Sequence, residues 1–412
     1  LSHRWIVGIH IHKESSYSPD MANLFGKKLS KLEIEQRSGA LSQFAGVRLM
    51  TLEDGVERGI RTLEFRTGSG LKFNVLLDRA FDIADCEYKG QSIGWHSPTG
   101  FRNAALHEYE GEGGLAWTRS FSGLLITCGL DHILFMNEEN ADHFNYKPRE
   151  KVSSSLHGRI GTIPGKLLSY GESWDGDECT LYCEGLIVQA TVFGEDLHLQ
   201  RRIEVKVGSN EVHLKDRVVN HGFYKTPHMF CYHINIGYPI LDESSEYLAP
   251  IINTPWASHA GDNYQKQNVG YNPLPAPQKM FHEQVWEHEL AADKNERVTT
   301  AIINPRINLG FSVEVGAKEF PAQFEWQNMQ EGMYAIGIEP STNHVLGKPF
   351  ASERDELIWL EHNESRTYHT VFRIHEGEKE LTNLKNQISS VATQPNNPYP
   401  DVTGQYRKIN NG

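Results

Sequence analysis

Tyr334-Ala335-Ile336-Gly337-Ile338-Glu339-Pro340 alternates with period 2, the mark of a β-strand, and its two faces are unlike. Tyr334, Ile336 and Ile338 share one face; Ala335, Gly337 and Glu339 share the other. The bulky face reads as core. The opposite face is nearly bare, so a ligand lying along it would meet the Glu339 carboxylate at the strand's end. Tyr232-His233-Ile234-Asn235-Ile236-Gly237-Tyr238 repeats the arrangement, with Tyr232, Ile234, Ile236 and Tyr238 turned one way and His233, Asn235 and Gly237 the other. Two strands each offer one proton-transfer group on a floor of small residues, which is what an acid–base pair acting on a small polar ligand requires. The expectation is that the two groups face each other across an open hollow wide enough for such a ligand.

The same grammar extends outward from these two stretches. From about residue 46, short runs rich in Val, Ile, Leu, Phe and Tyr are separated by Gly, Asp, Asn or Pro, as at 59–66, 71–77, 186–193, 197–207, 212–220 and 367–374. Helical segments do not alternate with them, which argues against a doubly wound α/β sheet. No repeat period speaks for a propeller or solenoid. The economical solution is all-β: one large antiparallel β-sandwich over 21–378, with long loops across 254–295 at one end. Ser30-Lys31-Leu32-Glu33 fits a capping box and predicts a short N-terminal helix that stops near Gly39. Residues 1–20 are His- and Ser-rich without periodicity, so Met21 is expected to be the native start. Residues 379–412 are expected to form a C-terminal tail without strands.

Composition excludes several classes. The 412 residues carry a formal charge of −13, from 40 Lys and Arg against 53 Asp and Glu, with no basic stripe for nucleic acid. Five cysteines, with no C-x-x-C pair, fit a reducing cytoplasm and no zinc site. No apolar run approaches the ~18 residues of a membrane span, and the cluster Trp5–Ile9 is too short for a signal-peptide core. Gly68-Ser69-Gly70 joins two strands and is a hairpin turn, not a phosphate loop, and no nucleophile elbow is present.

Other candidate residues gather around the two strands. His157 and Arg159 stand at i and i+2, so an extended chain would point both donors the same way, toward hydroxyl or carboxylate oxygens; a surface pair near a turn is the alternative. Arg119 lies between Trp117 and Phe121, as either a cation–π packing element or a ligand clamp. Asp78-Arg79 with Asp82 resembles a turn held by its own charges. His228 falls on the opposite parity from His233, so a shared metal would need a bulge in the strand. Asn343 and His344, just past Glu339, could reach the same floor from a loop.

With these residues in view, the chain resembles the aldose 1-epimerase (galactose mutarotase-like) superfamily, and within it the aldose 1-epimerase family protein branch. The resemblance runs from about residue 21 to 376. It is carried by Leu77-Asp78-Arg79 with Asp82-Ile83, Trp95 with Ser97-Pro98-Thr99-Gly100, and Trp117-Thr118-Arg119-Ser120-Phe121 with Thr127-Cys128-Gly129-Leu130. Leu156-His157-Gly158-Arg159, Thr226-Pro227-His228 with Tyr232-His233-Ile234-Asn235, and Gly337-Ile338-Glu339-Pro340 with Asn343-His344 complete it. Leu156-His157-Gly158 resembles the Leu-His-Gly-Gly motif of mutarotases, with Arg159 in place of the second Gly. The resemblance implies a supersandwich with its site on the concave face of one sheet, His233 as general acid and Glu339 as general base. It also implies His157, Arg159, Arg119, Asn235, Arg79, Asn343 and His344 as substrate-binding groups, with Trp326 stacking on a sugar ring. The implied activity is interconversion of the anomers of a free sugar or sugar acid, with no cofactor. Expected partners are a small-molecule carbohydrate and a second copy of the chain, without nucleic acid or membrane. Two alternatives stay open: a metal-assisted epimerase using His233, Glu339 and His228 or His344, and a carbohydrate-binding protein without turnover.

Overall fold

The computed structural model describes residues 21–260, 270–395 and 402–409; the expected extension at 1–20 lies outside them. Ser30 caps the short helix Lys31–Glu35 and forms a complete capping box with Glu33, and the helix ends at Gln36, ahead of Gly39.

Three large antiparallel sheets build most of the rest, beside two two-stranded ones, Ala22–Leu24 with Lys27–Leu29 and Asn137–Asn140 with Lys151–Ser154. The largest runs in the order Lys166–Asp175, Glu178–Ala190, Asp196–Lys206, Glu211–Asn220, Ser365–Glu376, Leu309–Gly316, Arg297–Asn304, Glu246–Leu248. The second, which carries the site, runs Ile251–Ala257, Gln284–Leu290, Ala322–Asn328, Ala335–Ser341, Thr226–Gly237, Ile358–Leu360, with Leu125–Leu130 also paired to Thr226–Gly237. A five-stranded sheet spans Gly46–Thr51 to Gln91–Ser92. This is the expected β-sandwich. One apolar cluster joins all three sheets, with Leu181, Leu199 and Leu214 from the first, Tyr232, Ile234, Ile336 and Ile338 from the second, and Phe65 and Phe73 from the third. Strand Glu178–Ala190 buries every second residue, as a sheet with one wet face must. Every residue of Thr226–Gly237 is buried, because this strand is covered on both faces.

A polar bolt crosses the apolar layer. The Arg201 guanidinium donates to Asp216, to Asp82 and to the Thr127 hydroxyl, and the Tyr232 hydroxyl donates to Asp216 at 2.6 Å. These residues come from all three sheets, and all are buried. The charges of the 78–82 turn are therefore not paired within it: Asp78 takes Arg61, and Asp82 takes Arg201.

Three expectations change. The segment opening the expected tail is a helix, Glu378–Val391, which buries Leu381, Leu384 and Ile388 against Leu248, Ala301 and Ile303; a 3–4 spacing of apolar residues is helical periodicity. The expected loops at 254–295 contain the strand Gln284–Leu290, and residues 254–257 complete Ile251–Ala257. Residues 261–269 of that stretch lie outside the described residues. Tyr238, placed with the core by alternation, is 66% exposed, since the strand ends at Gly237. Among the described residues no helix is long and apolar enough to cross a membrane. All five cysteines are buried and free.

Candidate functional site

The face of the second sheet turned away from the main core carries both proton-transfer groups. Pairing of Ile234 with Ile338 and of Cys231 with Ser341 brings His233 beside Glu339 across two adjacent strands. The His233 Nε2–Glu339 Oε1 distance is 3.2 Å, and the side chains are 3% and 4% exposed. Gly337 makes this contact possible: a Cβ there would meet Trp326 Cβ at 3.1 Å, Glu339 Oε1 at 3.3 Å and His233 Cε1 at 3.3 Å. The open hollow expected between the two groups is absent among the described residues. They touch, and the floor of small residues is roofed: Ala335 packs under Trp95 and Trp326, and the Trp95 backbone lies against Gly237.

The roof is aromatic. Ring centroids of Phe121, Trp326, His157 and Trp117 lie 4.7, 5.2, 5.6 and 5.9 Å from that of His233. Trp117 and Phe121 also pack on each other at 4.5 Å. Phe121 is half-buried, so a single layer of side chains separates the pair from solvent. Trp326 Nε1–H donates to the carboxylate of Glu283 at 3.0 Å, and Glu283 is exposed at the rim.

Hydrogen bonds fix the tautomer of His233. Asn235 spends its amide N–H groups on the carbonyls of Gly123 and His233, so its Oδ1 accepts from His233 Nδ1–H at 2.5 Å. Nε2 is left to face Glu339. Burial pushes the His233 imidazole down to about 3, against a smaller raising effect of Asn235. Burial, and secondarily the nearby Glu283 carboxylate, push Glu339 well above the usual carboxylate range. In this closed, dry arrangement both groups are neutral and the shared proton sits on the Glu339 carboxyl. A charged His233 at rest is therefore not what the structure supports.

His157 joins the pair, but not from an extended chain. It sits in a turn at φ 59°, followed by Gly158 at φ 75°, where a Cβ would collide with the carbonyls of Gly129 and His132. Its ring packs 4.5 Å from that of Trp117. Its Nδ1 is buried and has no partner among the described residues, and burial, with His233 nearby, holds its pKa well below the usual histidine value. The turn sends Arg159 elsewhere, into an ion pair with the buried Glu195.

Arg119 also leaves the site. Residues Gly111–Ser120 coil through 3-10 turns instead of extending, so Arg119 does not share the face of Trp117 and Phe121; it is 44% exposed and pairs with Glu112 and Glu108. Arg79 is buried behind the roof, donating to the carbonyls of Ser120 and Gly161, in the segments that carry Phe121 and His157; its Nη1 has no partner among the described residues. Asn343 is fully buried and accepts from the Thr342 hydroxyl. His344 is held by Glu287 and donates to the Arg407 carbonyl. Glu287 is separated from Glu339 by Phe324 in the strand register, so His344 does not reach the pair. His228 donates to the Leu130 carbonyl and accepts from the Tyr368 hydroxyl. The metal-ligand set of the first alternative is thus not assembled, and among the described residues no three His, Cys, Asp or Glu side chains are grouped as ligands of one ion.

A second couple lies on the opposite face of the same sheet. His288 Nε2 and Glu325 Oε2 are 3.2 Å apart and wholly buried, with Thr254 on the other ring nitrogen and Gln327 donating to Glu325 Oε1. Sequence reading missed this couple, and it missed Glu283. Polar residues at 323, 325 and 327 alternate as a wet face would, and nothing local says that this face is inside.

The family described as a domain of unknown function, DUF4432, matches residues 57–374, well over half of the chain. The chain belongs to the DUF4432 family. No curated protein matches it. Among solved structures, this DUF4432 chain is similar to a candidate aldose 1-epimerase from Klebsiella pneumoniae, with TM-score 0.75 and 23% identity, covering 88% of this chain and 91% of that one. It is also similar to a galactose mutarotase-like protein from Clostridium acetobutylicum, with TM-score 0.55, 12% identity and coverage of 81% and 99%. A galactose mutarotase related enzyme from Lactobacillus acidophilus aligns with TM-score 0.50, 9% identity and coverage of 81% and 99%. The DUF4432 chain shares the mutarotase-like sandwich with these proteins; at such identities the likeness is one of fold.

Proposed function

We propose that this protein interconverts the anomers of a free sugar or sugar acid by acid–base ring opening at His233 and Glu339. The observation that carries this reading is the direct 3.2 Å contact of an imidazole and a carboxyl group under an aromatic roof. The couple holds one mobile proton, which is the inventory the reaction needs: one group takes a proton from the anomeric hydroxyl while the other gives one to the ring oxygen.

A sugar enters when the Trp117–Phe121 segment lifts and the couple parts around the anomeric centre. Hydroxyl groups then replace apolar cover, the penalty on charge falls, and the proton moves to His233 Nε2. Glu339 becomes the base and His233 the acid. Ring opening, rotation about C1–C2 and closure give the other anomer, and the couple ends with one mobile proton again. Asn235 keeps Nε2 as the exchanging nitrogen throughout. The unpartnered ring nitrogen of His157 supplies a hydrogen-bonding group for a sugar oxygen, and Trp326 supplies a flat apolar wall.

Saturation-transfer NMR or polarimetry on a panel of aldoses, ketoses and uronates tests this directly. Anomer exchange should be accelerated for at least one member of the panel. No acceleration by wild-type protein on any sugar would end the reading.

A further inference from the structure

Glu283 is a carboxylate that the acid–base scheme does not use. It precedes the strand Gln284–Leu290, and its backbone is held there: His259 Nε2 and Gln284 Nε2 both lie within hydrogen-bond reach of its carbonyl, at 3.1 and 3.3 Å. Its side chain accepts from the Trp326 indole at 3.0 Å. That indole packs 5.2 Å from the His233 ring, and Trp326 is the cross-strand partner of Gly337, where its Cβ occupies the space beside both members of the couple. A flat ring carried on two rotatable bonds is held in one orientation by such an anchor on its N–H.

We propose that Glu283 is a positioning residue of this site: its carboxylate holds the Trp326 indole against His233, and its negative charge acts on Glu339 from the other end of that side chain. The proposal rests on the acid–base reading of the couple. Its electrostatic half is supported by the surroundings of Glu339. His233 and Cys231 stand on the adjoining strand, and Cys128 on the strand beyond it. The His157 turn lies beyond His233, and Glu287 lies beyond Phe324, already engaged by His344. Glu283 is the carboxylate whose charge raises Glu339 further after burial has acted.

Two variants separate the hold from the charge. Glu283→Gln keeps an acceptor for the indole and removes the charge; Glu283→Ala removes both. The first readout needs no turnover: in protein labelled with ¹⁵N-tryptophan, the Trp326 indole signal, assigned with Trp326→Phe, should shift strongly upfield in Glu283→Ala and slightly in Glu283→Gln. The second is the pH profile of anomerisation. In both variants the limb governed by Glu339 should move to lower pH. KM should rise about three- to tenfold in Glu283→Ala alone, the worth of one misplaced aromatic wall.

An unmoved indole signal in Glu283→Ala would overturn the hold. A pH profile identical to wild type in both variants would overturn the charge. A protein that turns over no sugar but shows the indole shift would sink the acid–base reading and leave the hold standing.

Discussion

The second sheet carries a histidine–glutamate couple on each face, and chemically the two are near twins. In both, imidazole and carboxyl atoms stand 3.2 Å apart, burial pushes the histidine down to about 3, and burial pushes the glutamate well above its usual range. The difference is in what surrounds them. His233–Glu339 lies under one layer of aromatic rings, with Phe121 half-exposed and a charged residue at the rim. His288–Glu325 lies between the sheets, packed by the Tyr271 and Tyr247 rings at 4.9 and 6.0 Å. Perturbed titration is thus no locator of a site by itself; the two couples are told apart by what covers them.

Substitution should break the twinning. Glu339→Gln and His233→Asn should slow anomerisation by roughly 10²-fold or more, with little change in melting temperature, since Gln still fills the space beside His233. Turnover retained by either variant would mean that the outer couple is not the working one. His288→Ala should do the reverse. It leaves a void and a buried carboxyl without its partner, a loss of about 2–4 kcal/mol in denaturant unfolding, while KM and kcat stay near wild type in whatever fraction is folded.

Titration of stability sharpens the comparison. A histidine held near 3 when folded but near ~6.5 when unfolded binds its proton first in the unfolded chain. Stability should therefore fall as pH drops from about 6.5 toward 3, by up to about 1.4 kcal/mol per pH unit for each such residue. The glutamates act on the other side. Each keeps its proton when folded and loses it when unfolded above ~4.5, so each lowers stability as pH rises from there. Glu325→Gln keeps both hydrogen-bonding positions without an ionising group and should flatten that alkaline decline in urea unfolding; an unchanged slope would mean that Glu325 is ionised in the native protein. The smallest effect is expected at Arg119→Ala: a change within about 0.5 kcal/mol and an unaltered KM, because this side chain serves surface glutamates.

Alternation made the site strands legible. Tyr232, Ile234, Ile336 and Ile338 do face the core, and His233 and Glu339 do share the other side, because period-2 burial is imposed by backbone geometry alone. Turns are where the reading failed. Trp117, Arg119 and Phe121 have strand-like spacing, yet left-handed residues at Glu112, Gly113 and Gly114 start 3-10 turns that separate the Arg from the rings. His157 and Arg159 parted for a similar reason, at a turn that only Gly158 permits. Leu381, Leu384 and Ile388 carried a helical period among polar residues and were read as tail. The closed state of the couple was not legible at all, since the roof comes from segments distant in sequence.

The Arg201 bolt has a consequence for the strand that carries His233. Tyr232 and His233 are neighbours that point to opposite faces, and a slip of one residue would exchange them. The phenol is tied on its side to Asp216, which is itself clamped by a guanidinium reaching across all three sheets. That tie indexes the strand as a keyway indexes a shaft: with the phenol seated, the imidazole has one place to be. Replacing Arg201 would therefore be felt first as a loss of alignment in a residue it never touches.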